Sequence, residues 1–189
     1  EVLPKVTKED IPLTRNYAKS TITNIGNTNN YFYKTGTNGM IYHSMIYPCS
    51  NLSAKEFKIA SLFSNTLTNI GFNDMSYEEV QKIQSAITGG ISSNFILLPN
   101  SNNNEHKLAL KITSKSLEKN ANKMQDILIK TVSDADFTNR SRIKDMLNFI
   151  SSDSEKSIIQ NGHMLAMSNA GAQVNNIAAT NDITSGLNF

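Results

Sequence analysis

The chain has 189 residues, 39% hydrophobic and 18% charged, with 18 Lys and Arg against 16 Asp and Glu. That is enough for one domain with a real core or two small ones. A formal net charge of +2 gives no ground for a nucleic-acid or membrane partner. Residues 1–20 read as an extended lead-in from a preceding linker, because Pro4 and Pro12 each push the residue before them out of helix. Strands are expected over Ser20–Ile25 and Asn30–Thr35, parted by the turn-forming GNTN at 26–29. TNG at 37–39 marks another turn, and MIYHSMIY at 40–47, β-branched and aromatic, reads as a largely buried strand stopped by Pro48.

Two helices follow. Ser53 and Glu56 are spaced as a capping box, as are Ser76 and Glu79. Behind the first box, Phe57, Ala60, Leu62, Phe63, Leu67 and Ile70 recur at helical spacing up to Gly71, a natural C′ residue. Behind the second, Val80, Ile83, Ala86 and Ile87 do the same and stop at Gly89-Gly90. Ile91–Leu98 reads as a strand, NSNNNE at 100–105 as a polar hairpin loop, and KLALKIT at 107–113 as an alternating strand. Helices are expected from about Leu117 to Thr131, from Thr138 to about Asn161, and over 162–179, while the last ten residues show no period. Strands, two helices, two strands and more helices define an α+β chain, a two-layer fold with a mainly antiparallel sheet and helices packed on one face. Residues 21–189 are read as its single domain.

The candidate sites are sparse. A phosphate loop places glycines after a strand and before a helix; at Gly89-Gly90 the order is helix, Gly-Gly, strand, and no Lys-Ser/Thr follows. The pair therefore reads as a helix stop with a positive-φ turn into the strand. His43, His106 and His163 lie far apart and share no ligand spacing. NNNEH at 102–106 ends like a His-x-x-Glu-His zinc motif, but its first position is Asn102 and its setting is a loop. Glu78, Glu79, Asp134 and Asp136 fall at helix starts and turns, where they serve the dipole and the loop. Met164 and Met167 read as packing residues, and the lone Cys49, with no base at a suggestive spacing, as a structural thiol that forms no intramolecular disulfide. No apolar run approaches the ~18 residues of a membrane helix. No leader is visible, and a start at Glu1 rather than Met fits a piece of a longer protein. Read from residues alone, Gly71, Gly89, Gly90, Ser53, Glu56, Ser76 and Glu79 are turn and cap positions, and no active site is visible.

The ordered set LPKVTKEDIP (3–12), MIYHSMIYPCSNLS (40–53), FKIASLFSNTLTNIGFNDMSYEEVQKIQSAITGGIS (57–92), FTNRSRIKDMLNFISSDSEKSIIQNGHMLAM (137–167) and SGLNF (185–189) resembles the pitrilysin/insulinase family of zinc metallopeptidases. Within it, the resemblance is to the presequence-protease branch and to the first domain of the C-terminal half. It implies four related α+β domains in two halves around a chamber that degrades unfolded peptides. The zinc would sit in the N-terminal half on an inverted His-x-x-Glu-His helix. By internal duplication, the helix ending near Gly71 corresponds to that zinc helix, and a rough overlay puts Leu62, Asn65 and Thr66 at the ligand and base positions. None of these could form the site, so no catalytic, metal or cofactor residue is carried over.

The expected partners are unfolded peptides and the N-terminal catalytic half of the same chain, with no nucleic acid and no membrane. Zinc is expected in the parent and not in this piece; the expected location is the cytoplasm or an organelle matrix. The alternative is a stand-alone non-catalytic scaffold or binding subunit of the same superfamily. A small hydrolase built on His43 or His163 is a third and weaker option.

Overall fold

The computed structural model describes residues 7–11, 13, 14, 17–49, 52–99 and 106–185. The chain divides into two compact units, Glu1–Asn38 and Gly39–Phe189. In the smaller unit, Thr7 and Asp10 close a short 3-10 turn at Lys8–Asp10, with the Thr7 amide donating to Asp10 Oδ2 at 2.8 Å. β1 (Ser20–Ile25) and β2 (Thr28–Tyr33) then pair antiparallel, from Ser20↔Tyr33 to Ile25↔Thr28. The turn between them is only Gly26-Asn27, so β2 begins two residues earlier than the sequence pattern suggests. Gly26 at φ +58° supplies the backbone hand of a two-residue hairpin turn. The sequence reading joins residues 21–38 to the larger domain. Their ladder closes on itself as a two-stranded sheet, and they belong to the smaller unit.

The larger unit runs β3 (Met40–Pro48), α1 (Ala54–Leu67), α2 (Tyr77–Ile87), β4 (Ile91–Pro99), β5 (His106–Leu117), α3 (Ala121–Ser133), α4 (Arg140–Ala172) and α5 (Asn176–Ser185). Its sheet has the order β3-β5-β4, every pairing antiparallel. This is the α+β, mainly antiparallel architecture expected from the element order. The loop expected at 100–105 lies outside the described residues, but Pro99 pairs with His106 on either side of it. β5 continues four residues past the expected end at Thr113. Its last inward positions are Ser114 and Ser116, both buried, and pairing with His43 and Ile41 of β3 keeps the strand in register there. A 3-10 turn at Glu118–Asn120 then delays α3 to Ala121.

The core forms where α1 and α3 meet the sheet. Leu67, Leu110, Ile112, Met124 and Leu128 make its centre, and Ile41, Met45, Ile91 and Phe95 pack around them. Leu128 and Ile112 are fully buried, and each such side chain stabilises the fold by about 1.5–3 kcal/mol. Both capping boxes form. Ser53 donates its amide to Glu56 Oε2 at 2.8 Å and accepts from the Glu56 amide at 3.3 Å; Ser76 and Glu79 repeat this at 2.9 and 3.4 Å.

α1 ends at Leu67, with Thr68 as its C-cap, so Gly71 is not the C′ residue that the spacing suggests. Gly71 lies in a loop stitched to the α3–α4 connection: Asp136 N–H donates to Gly71 O, Asn73 N–H to Asp134 O, and Phe72 and Met75 exchange two backbone bonds. Arg142 ties the same loops together. Its Nε donates to Asn69 O at 3.2 Å, and its guanidinium stacks 3.9 Å from the Tyr77 ring centroid. α4 is two helical stretches joined at Asn161, whose φ of −121° and ψ of 20° are not helical. The tail expected to be aperiodic begins as α5, which Asn169 holds to α4 through a 3.1 Å bond to the buried Asp182 carboxylate. Residues 186–189 lie outside the described residues.

Candidate functional site

Side chains on a strand alternate between faces, so the core residues of the larger unit define which sheet face is left open. Ile41, Met45, Ile91, Phe95, Leu110 and Ile112 face the helices. The residues between them form the other face: Tyr42, Ser44 and Ile46 on β3, Ser92, Asn94 and Ile96 on β4, and Lys107, Ala109, Lys111, Thr113 and Lys115 on β5, of which Ala109 is fully buried. Tyr42 is 65% exposed and Ile46 47% exposed.

Cross-strand register sets the neighbours. Tyr42 stands opposite Lys115, Ile46 and Asn94 flank Lys111, and Leu98 stands opposite Lys107. Ser92 and Thr113 hydrogen-bond through their hydroxyls at 2.6 Å. None of the chain's 16 Asp and Glu residues lies in the three strands, so the lysines have no carboxylate beside them on this face. Sequence reading alone does not single out these lysines. Their common face follows only once β5 is known to reach Leu117.

The turn before β4 is built against the same strand. Thr88, the C-cap of α2, donates its hydroxyl back to Gln84 O, and the Thr88 hydroxyl oxygen accepts from the Gly90 amide. The Gly89 amide donates to Lys115 O at 2.7 Å, and Ser114 Oγ donates to Gly90 O at 2.9 Å. Gly90 has a φ of +99°. Every donor at this turn is spent on the protein's own backbone and hydroxyls, with β5 as the main partner.

The histidines are not brought together. His43 sits on the helix-facing side of β3 and is half-buried, and burial lowers its pKa below the ordinary 6.5. His106 opens β5 and is exposed; His163 lies on α4, two residues past the Asn161 break, also exposed. Positions 102–105 of the NNNEH near-motif lie outside the described residues. Cys49 donates its thiol to Tyr47 O at 3.3 Å.

On α1, Thr66 Oγ1 is committed to Leu62 O at 2.6 Å, and Asn65 O accepts from Asn69 Nδ2. These side chains do not fit a zinc ion, and among the described residues no three His, Cys, Asp or Glu side chains converge to hold one. A cleft of about 270 Å³ between α2 and α3 is lined mainly by apolar side chains such as Val80, Ile83, Ile87 and Ile127, with Lys123, Asp126 and Lys130 among them. No helix among the described residues is long and apolar enough to cross a membrane.

These features define a layered α+β domain with an open, basic sheet face. The chain matches the family model described as peptidase M-16C associated over residues 1–189, and it belongs to that family. It is similar to the mitochondrial presequence protease of Saccharomyces cerevisiae, at 26% identity over 98% of this chain and 18% of that protein. It is similar also to the mitochondrial presequence protease of Drosophila melanogaster, at 24% identity over 92% of this chain and 17% of the relative. The chloroplastic/mitochondrial presequence protease 1 of Arabidopsis thaliana matches at 20% identity over 99% of this chain and 17% of its own length. The chain thus spans less than a fifth of the length of these relatives.

Proposed function

We propose that this chain is a non-catalytic domain of the C-terminal half of a zinc metalloendopeptidase that degrades unfolded peptides inside a closed chamber. Its part is to form chamber wall and present surface to substrate. The observation that carries this reading is the family match over residues 1–189; the overlay implied by the resemblance, which puts Leu62, Asn65 and Thr66 at the ligand and base positions, agrees with it. Zinc and the catalytic groups belong to the N-terminal half of the parent, and no chemical step is assigned to the residues here. That these relatives are mitochondrial proteases favours an organelle matrix as the location. Ser53, Glu56, Ser76, Glu79, Gly71, Gly89 and Gly90 serve structure alone in this reading.

A fluorogenic unfolded peptide, assayed with the full-length parent and with the 189-residue chain, tests the proposal. The parent is expected to hydrolyse it and to lose activity to a chelator. The chain alone is expected to leave it intact and to bind zinc no better than buffer by metal analysis. Chelator-sensitive cleavage by the chain alone would overturn the non-catalytic assignment. A folded parent that cleaves nothing would favour a scaffold subunit instead.

A further inference from the structure

We propose that the open face of the β3-β5-β4 sheet docks an extended, acidic stretch of polypeptide, with Lys107, Lys111 and Lys115 as its charge contacts. The proposal rests on the reading that this domain meets unfolded peptide, and it names the kind of segment that this wall prefers. The three lysines repeat every fourth residue along the central strand, all on the side away from the core. At ~3.3 Å per residue the repeat is ~13 Å, so an extended peptide lying along β5 with a carboxylate every fourth residue matches it charge for charge. Around Lys111 and Lys115 the face offers the exposed Tyr42 ring, the Asn94 amide and the apolar Ile46, and between Lys107 and Lys111 it closes over the fully buried Ala109; none of these repels an anion.

The carboxylates of the larger unit lie instead on its helices and loops, among them Glu56, Asp74, Glu78, Glu79 and Asp126, with Glu118 just past the end of β5. Carboxylates are therefore confined to the helices and loops, whereas cations such as Lys82, Lys123 and Arg142 occur there as well as on the sheet. The net charge of +2 conceals a sheet face on which every formal charge is positive. Scattered solubilising lysines would have acidic neighbours across the strands, as mixed surfaces normally do. Here each cross-strand partner is neutral.

The test uses the full-length polypeptide that carries this chain, stripped of metal with a chelator so that binding is read without hydrolysis. The probes are two labelled unfolded peptides of equal length, one with Glu at every fourth position and the other with Gln there. At an ionic strength of about 0.05 M the Glu probe is expected to bind more tightly. Each of Lys107→Gln, Lys111→Gln and Lys115→Gln is expected to reduce that preference about two- to fivefold. The preference is expected to shrink as salt is raised toward about 0.5 M, and Lys111→Glu with Lys115→Glu is expected to reverse it. All these side chains sit on the open face, and a thermal melt of each variant checks that it folds. Equal affinity of the wild type for both probes, or a preference that survives the triple Gln substitution, would overturn the proposal. Hydrolysis after zinc is restored reads the parent reading separately: selective binding without cleavage would remove the peptidase and leave this surface standing.

Discussion

A Cβ at Gly71 would lie 2.5 Å from Met75 O and 3.1 Å from the Tyr77 amide. Both are backbone atoms, Met75 O held by the Phe72–Met75 pair and Tyr77 N at the start of α2, so neither gives way easily. Gly90 is constrained for the opposite reason. A Cβ there would meet nothing, but φ is +99°, which L side chains rarely adopt. Gly71→Ala is therefore expected to cost about 1–3 kcal/mol through overpacking. Gly90→Ala is expected to cost about 1–3 kcal/mol through backbone strain alone. Urea unfolding separates them from neutral changes by a lowered midpoint at unchanged slope. If Gly71→Ala unfolded at the wild-type midpoint, the loop would have to be looser than its hydrogen bonds indicate. Gly71 was legible in the sequence, but its reason was not. Spacing suggests a helix terminator, whereas the constraint is the close approach of Met75 and Tyr77 in a loop that Asp134 and Asp136 hold from more than sixty residues downstream.

At the scale of elements, legibility followed how local the cause was. The two capping boxes depend on residues three apart, so both helix starts could be read before any tertiary contact was known. Ser76→Ala is expected to cost about 0.5–2 kcal/mol, and Glu79→Gln less, because the second amide bond survives in weakened form; thermal melts read both. Arg142→Ala should cost as much as the cap, since it removes a backbone bond and a ring contact together. Arg142→Lys should not restore it, because an ammonium cannot reproduce the planar guanidinium fork.

Ends set by distant partners were misread. The final turn of sequence in β5, TSKSL, has too little apolar content to announce a strand. It becomes one because Met40–Ser44 supply the ladder on one side and Ile91 and Ser92 the other. α5 is likewise held by an Asn–Asp bond to α4 rather than by an amphipathic period. The same error hid the basic face, because a strand ending at Thr113 leaves Lys115 outside the sheet and no repeat to notice.

Over the whole molecule, protonation sums across both layers, and stability should fall in two separate windows as pH drops. His43 has its folded pKa pulled below 6.5 by burial, so the native state favours the neutral ring. Above 6.5 both states are neutral there and the contribution is fully present. Below 6.5 the unfolded chain takes up the proton first, and stability is lost as pH falls toward the folded value. The second window is carboxylate. Hydrogen bonds from the Ser53 hydroxyl and amide hold Glu56 below 4.5. The Ser76 amide and then its hydroxyl do the same for Glu79, and the Thr138 hydroxyl and then its amide hold Asp136 below 3.8. Their stabilisation is present above those values and lost as pH falls through the folded pKa values. Denaturant titrations from about pH 8 to about pH 3 should therefore show an upper shoulder and a lower, steeper decline. His43→Gln should flatten the upper shoulder and leave the lower decline, while Glu79→Gln should leave the upper shoulder and make the lower decline shallower by its own share, Glu56 and Asp136 keeping theirs. An upper shoulder that persists in His43→Gln would assign it to another group and remove the half-buried ring as its cause. Because neither variant touches Lys107, Lys111 or Lys115, both should retain the preference for the Glu-bearing probe. Loss of stability at low pH is thereby kept apart from loss of the charged face.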